Sequence, residues 1–228
     1  MKKIFSALFA TMCLVAFQAP AQSADVSFSV GIAGNQGGYH ARGTETIQQT
    51  GTDKIAEIEQ EAGVFEDSHP SVFLELNIGD NMTVGAEWAM DDIDTPSNTN
   101  AVADRQGDED DDFVTNTAQA TFSDKTTVYI QARMLGGLYT KIMYHNVNVI
   151  SNETLGTGGS YGDATVEGLG LGIGYQYDLE DLGVFVRAEV TASGYEDVKS
   201  VNTDDVTKVI MIDNMYGAEG SIRVGKTF

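Results

Sequence analysis

Three histidines, one acidic run and two glycine-rich stretches are the places where this sequence could do chemistry. His145 follows Tyr144 inside the alternating segment LYTKIMYHNVNVI, and a histidine paired with a serine there would activate the hydroxyl for attack on an ester. His40 and His69 fall in a long polar stretch, where a surface position is expected. The run DRQGDEDDD, Asp104–Asp112, offers the oxygen ligands that calcium takes. No glycine and distal glutamate stand where an EF-hand loop needs them, so a solvated loop is expected. GTGGSYG, Gly156–Gly162, lacks the Lys-Ser/Thr pair of a phosphate-binding loop, and the glycines of GLGLGIG, Gly168–Gly174, recur at every second residue, which is strand spacing. No motif assigns a catalytic residue, a metal site or a cofactor, and the expectation is a protein that is not an enzyme.

A regular set of charges follows a different logic. Glu75, Glu87, Arg133, Lys141, Arg187, Glu189, Glu219 and Arg223 all lie on the polar parity of segments whose alternate residues are mostly apolar. Four acids and four bases share this parity, although the chain as a whole has 34 acidic residues and 13 basic ones. Such neutrality on one face of an acidic protein predicts an ion-paired network in a narrow, largely plugged lumen, because buried charges left unpaired are costly.

The elements that must position these charges are strands. VSFSVGIA sets Val26, Phe28, Val30 and Ile32 against Ser27, Ser29 and Gly31. SVFLELNIG, MTVGAEWAM, VEGLGLGIGYQY, VFVRAEVTA and the closing GSIRVGKTF repeat the same period of two. AQATFSDKTTVYIQAR reads as one long strand with Ala118, Phe122, Val128 and Ile130 on one parity and Lys125 and Thr127 opposite. LYTKIMYHNVNVI moves its apolar parity from Tyr144 to Val147 and Val149, which suggests a bulge in that strand. The inward glycines are expected to leave room for larger side chains across the lumen. That makes eight strands. Short connections fall at Gly79–Asn81, Leu135–Gly137 and Asp178–Gly183, and long ones at Asn35–Pro70, Asp91–Asp112, Ser151–Ala164 and Glu196–Thr207. Such a layout predicts an all-β fold: a closed antiparallel eight-stranded up-and-down transmembrane β-barrel with short periplasmic turns and long extracellular loops. Val72, Leu74, Leu76, Val84, Trp88, Val128, Ile130, Val186 and Val224 are then expected to face lipid, with Trp88 and Tyr144 in an outer aromatic girdle.

The chain begins with Lys2, Lys3, an apolar run from Ile4 to Phe17, and small residues up to Ala24. That order predicts a secretory signal peptide over residues 1–24 and an outer-membrane barrel domain over 25–228. Cys13 is the single cysteine, so the mature chain relies on backbone pairing and packing rather than disulfides. Without Lys2 and Lys3 the net charge is −23, which argues against nucleic acid as a partner.

The terminal Phe228, with Val224 and Ile222 at two-residue steps before it, resembles the C-terminal assembly signal of small outer-membrane barrels. The family resembled is that of the OmpA transmembrane domain and the opacity-type outer-membrane proteins, and the likeness extends over the mature chain. It implies recognition of Ile222, Val224 and Phe228 by the barrel-assembly machinery, periplasmic termini and extracellular loops. Lys226 departs from the pattern, since an apolar residue is usual there; its amine would snorkel to the interface. The expected function is a monomeric, non-catalytic protein of the bacterial outer membrane, adhesin- or receptor-like through its acidic loops. Its partners would be outer-membrane lipid and lipopolysaccharide, the latter bridged through divalent cations. A porin-like channel is the alternative; a lipid-modifying barrel enzyme built around His145 and a secreted soluble β protein are further ones.

Overall fold

Alternating side chains need a pleated backbone, and a pleated backbone needs its ladder of hydrogen bonds closed on both edges. A computed structural model describes residues 26–48, 55–103, 113–154 and 159–228, and shows how the chain meets both demands. The leader, residues 1–24, and the acidic run Asp104–Asp112 lie outside the described residues. The strands are β1 (Val26–Gln48), β2 (Ile55–Ile78), β3 (Met82–Ala89), β4 (Ile93–Asp94), β5 (Asn98–Ala103), β6 (Phe113–Arg133), β7 (Leu138–Thr154), β8 (Ala164–Leu179), β9 (Val184–Tyr195), β10 (Val198–Val201) and β11 (Lys208–Thr227). Neighbours pair in the order β1-β2-β3-β6-β7-β8-β9-β11, every pairing is antiparallel, and β1 pairs with β11 to close the ring. The result is an eight-staved antiparallel β-barrel. The short β4 and β5 prolong the third stave along β6, and β10 prolongs the seventh along β11.

Both ends of the described chain and the three tight turns meet at one end of the barrel. Phe228 donates its N–H to the Phe28 carbonyl at 2.8 Å, and Thr227 donates to Gly183 O at 2.8 Å. Gly79 and Gly183 take φ of 61° and 63° in two of these turns, a region that side chains with a Cβ rarely enter. We call this the turn end and the opposite one the ribbon end.

The staves are longer than their apolar alternation. β2 has 24 residues, about 80 Å of strand at 3.3 Å per residue, whereas an outward apolar band is about 25 Å tall. The stretch Asn35–Pro70, expected as a loop, is therefore mostly strand: β1 and β2 run side by side from Val26↔Ile78 to Ile47↔Glu57. Parts of Asp91–Asp112 and Glu196–Thr207 are likewise strand, as β4, β5 and β10. Their sequences hid this because polar residues occupy both parities, and pairing to a neighbour rather than amphipathicity holds them extended.

Two further expectations are corrected. β7 keeps its alternation through Val149, and the irregularity sits on its partner β6, where the register shifts between Ser123 and Thr126 and Asp124 takes φ 52°. Beyond this bulge Phe122 turns inward to pack with Val149, leaving the parity of Val128. A second shift, between His40 and Arg42 of β1, lies opposite Asn214 of β11, which has φ 51°. The inward glycines also accommodate rings on the adjacent strand, not across the lumen. A Cβ on Gly85 would sit 2.3 Å from the ring of its paired neighbour Tyr129, and one on Gly174 2.4 Å from Tyr139.

Candidate functional site in the barrel lumen

Inward parity in the turn-end half delivers charged and hydroxyl side chains to a space that water barely enters. Glu75 on β2 accepts a two-pronged contact from Arg187 on β9, Nη2 to Oε2 at 2.9 Å with Nη1 on Oε1, and a hydrogen bond from Tyr129 Oη at 2.7 Å. Arg187 also donates Nε–H to Gln176 Oε1 at 2.6 Å and stacks over Phe185, 4.2 Å from its ring centre. Glu189 accepts from Lys141 at 3.0 Å, from Tyr139 Oη at 2.9 Å and from Arg223 Nη2 at 3.0 Å. Arg223 spans two acids, since its Nη1 also donates to Glu87 Oε2 at 2.7 Å. Ser71 Oγ donates to the other oxygen of Glu87 at 2.5 Å. Lys141, lying 3.9 Å from the centre of the Tyr129 ring, links the two halves of the cluster. The side chains of Glu75 and Glu189 are 0% exposed and that of Lys141 1%. Fork geometry and hydroxyl donors satisfy the carboxylates, which is what keeps charges this deep in the protein.

Of the eight charges singled out in the sequence, Glu75, Glu87, Lys141, Arg187, Glu189 and Arg223 meet in this cluster. Glu219 lies beyond it toward the ribbon end, bound by Lys125 and by the Tyr39 hydroxyl. Arg133 does not join. As the last residue of β6 it sits at the turn-end rim, with a side chain 32% exposed, and reaches Asp178 at 3.3 Å. Lys125 takes its place as the fourth interior base. Its inward parity was visible in the sequence, but its partner was not, because Glu219 is 94 residues away and meets it only through the bulge beside Asp124.

The expected lipid-facing residues point outward. Val72, Leu74, Trp88 and Val224 are exposed, while Leu76, Val84, Val128, Ile130 and Val186 are half-covered by neighbours on the same surface. Exposed Phe28, Ile32, Ile142, Leu171, Ile173, Val190 and Ile222 continue the belt around the ring. On β9 the outward positions run Val184, Val186, Ala188, Val190, Ala192 and Gly194, with no charge until Glu196. Outward Trp88, half-exposed Tyr144 and exposed Tyr216 mark the ribbon-end border of the belt, and exposed Tyr177 lies toward the turn end. Phe228 is exposed, and Lys226 lays its amine 5.5 Å from that ring's centre.

His145 faces inward and is buried. Its Nδ1 is 2.9 Å from Thr127 Oγ1 and its Nε2 2.9 Å from Ser193 Oγ, with the Tyr195 ring beside it. A histidine–serine contact therefore exists, but its third member is a threonine hydroxyl rather than a carboxylate, and the ring is walled off from the outer surface. His69 is buried 3.6 Å from Asp67, whereas His40 is half-buried and bonds the Asn214 carbonyl. A polar cavity of about 20 Å³ lies between His69, His145, Lys125 and Arg223, room for a water or so. Among the described residues no group of three or more potential metal ligands converges.

Above the charged cluster the interior changes character. Val149, Val166, Val198 and Met215 form an apolar core, joined by Ala41, Phe122, Tyr195 and Ile212. Tyr39, Phe65 and Phe122 stack in sequence at 5.2 and 6.0 Å. On the outside of the same half, Arg42 clasps Asp213 through Nε–Oδ1 at 2.6 Å and Nη2–Oδ2 at 2.7 Å. These hydrogen bonds hold the Asp213 carboxyl below its usual range and raise Arg42. Near the mouth, burial and a hydrogen bond to Glu45 push the Tyr161 hydroxyl up.

No protein-family model and no curated protein matches this chain. Solved structures do resemble it. The outer membrane protease OmpT from Escherichia coli is 9% identical, covering 92% of this chain and 99% of that one, with a TM-score of 0.48. Neisserial surface protein A is 14% identical over 86% and 97% of the two chains, TM-score 0.38. Ail, the attachment invasion locus protein of Yersinia pestis, solved with the heparin analogue sucrose octasulfate, is 10% identical over 87% and 99%, TM-score 0.35.

Proposed function

We propose that this chain is an integral outer-membrane β-barrel whose lumen is closed by its own ion pairs and whose ribbon end projects from the cell as a non-catalytic interaction surface. The observation that carries the reading is the combination of a charge-free outward belt with a filled, charge-paired interior. An outward apolar surface of this extent has no counterpart in a water-soluble fold, where it would be covered. In lipid it is matched, and the closed ladder leaves no unpaired strand edge at membrane depth. An eight-stave interior is just wide enough for side chains to fill it, which disfavours the porin-like alternative.

In this reading the termini and tight turns face the periplasm, and the long staves lift the acidic ribbon end clear of the surface. Residues 1–24 act as the signal peptide, and Ile222, Val224 and Phe228 serve the assembly machinery; the OmpA- or opacity-type affinity rests on those three residues. The acidic run Asp104–Asp112 would meet lipopolysaccharide through divalent cations. The test is conductance of the refolded chain in planar bilayers, after heat-modifiable gel mobility has verified folding. The expected result is a silent bilayer, and steady open-channel current from folded protein would sink the plug. An epitope inserted at Gly107 should be reached by antibody on intact cells; labelling only after permeabilisation would reverse the topology.

A further inference from the structure

Among the described residues the barrel wall is closed at the turn end but not at the ribbon end. β3 leaves β2 after Ser71↔Ala89, with one further bond from Met90 N–H to the Pro70 carbonyl. Past that point β4 and β5 pair with β6, and β2 pairs with β1. Among the described residues no backbone hydrogen bond joins Ile55–Ser68 to a second neighbouring strand. A side-chain bond, Asn98 Nδ2 to Glu61 Oε2 at 2.6 Å, reaches across the seam. The corresponding gap beside β10 is stitched: Tyr161 bridges Asn202, Thr203 N–H meets Ser160 O at 2.9 Å, and Asn202 Nδ2 donates to Gly159 O at 2.5 Å.

The polarity of the open edge follows from the anchor at Pro70. In an antiparallel strand the N–H and C=O of one residue point to the same side, and sides alternate. Since Pro70 directs its carbonyl to the seam, Ser68, Glu66, Val64, Ala62, Gln60 and Ile58 direct their backbone groups there too. An unpaired edge of this kind is a template for another strand. It is also acidic: Glu57, Glu59, Glu61, Glu66 and Asp67 lie in Ile55–Ser68, Asp91, Asp92 and Asp94 lie across the seam, and no lysine or arginine occurs from Ile55 to Asp104. Glu59 and Glu61 carry the inward parity yet are exposed because the wall is missing beside them. Exposed Ile58 and Val64 flank the edge with apolar contact area.

We propose that this edge is a docking site for an extended basic peptide segment, which adds as a strand to β2 at the ribbon end. Charge selects the occupant. A second copy would set one acidic edge against another, and the chain's own Asp104–Asp112, with six acids and one base, would be repelled as well. Main-chain hydrogen bonds supply affinity in such strand addition, and alternate side chains supply specificity. The proposal deepens the interaction-surface reading and rests on it for access from outside the cell.

The test uses the refolded full chain in detergent micelles, so its outcome does not depend on membrane orientation, which the Gly107 epitope reports separately. The probe is a labelled ten-residue peptide alternating lysine with valine, followed by fluorescence anisotropy and amide hydrogen exchange. The basic peptide should bind, weaken as salt screens the charges, and protect the amides of Ile58 to Ser68 on the even positions. A glutamate-for-lysine peptide should not bind. Methylating every second peptide nitrogen, or combining Ala62→Pro with Val64→Pro, should weaken binding about tenfold by deleting edge hydrogen bonds. Proline is tolerated where an edge strand's N–H faces solvent, and the methylated peptide needs no altered protein at all. Equal binding of the methylated peptide, protection confined to another region, or self-association that protects these same amides without peptide would each overturn the proposal.

Discussion

Around Glu75 and Arg187 the barrel is charged within and apolar without; around Val149 and Met215 it is apolar within and polar without. The same eight staves run through both halves with the same pleat. In the proposed outer-membrane reading, what differs is the medium each wall must face, and the interior takes whatever remains. Where the outside must satisfy lipid, the alternate residues are free to be charged, and they pair across a narrow lumen. Where the outside meets water, the interior can be an ordinary hydrophobic core. The bulges at Asp124 and Asn214 lie where one arrangement gives way to the other, because an extra residue exchanges the two faces of a strand.

The comparison breaks most visibly in the charged half. Arg187→Ala should cost about 3–5 kcal/mol in denaturant unfolding, since it strands Glu75 without its bidentate partner. Replacing both by similar-sized apolar residues should recover most of that loss, and a double-mutant cycle would measure how much. Arg223→Ala should behave alike, or let current pass in planar bilayers, because two acids lose one base.

A charge on the outer wall separates the halves next. Val186→Arg, on the turn-end side of the belt beside Tyr177, should cost about 1–2 kcal/mol. In the core of the other half, Met215→Ala should cost about 2 kcal/mol by leaving a cavity, with no change in conductance.

Acid should probe the outer clasp without touching the core. Asp213 titrates below its ordinary value when folded, so its contribution is full above the usual aspartate range of about 4 and fades as pH falls through the depressed value. The protection of the Arg42–Ile47 amides relative to their intrinsic exchange rates should therefore be constant near neutrality and fall only in that acid window, and Asp213→Asn should remove the dependence. The smallest effect is expected at Asn148, on the watery outer face: Asn148→Arg should shift stability by no more than about 0.5 kcal/mol, against the larger loss from the same residue at Val186.

Period two in SVFLELNIG, MTVGAEWAM and VFVRAEVTA was enough to assign strands, to divide outward Leu74, Trp88 and Val186 from inward Glu75, Glu87 and Arg187, and to place an even number of staves. Those features are local, because a pleat alternates sides whatever surrounds it. The polar stretches that continue β1 and β2 carried no such mark. Nor could alternation show that Lys125 meets Glu219, that Arg133 stays at the rim, or that the bulge opposite Val147 belongs to β6. Ring closure and register, which set residues dozens to more than a hundred positions apart side by side, decided those pairings and left the acidic edge of β2 without a neighbouring strand among the described residues.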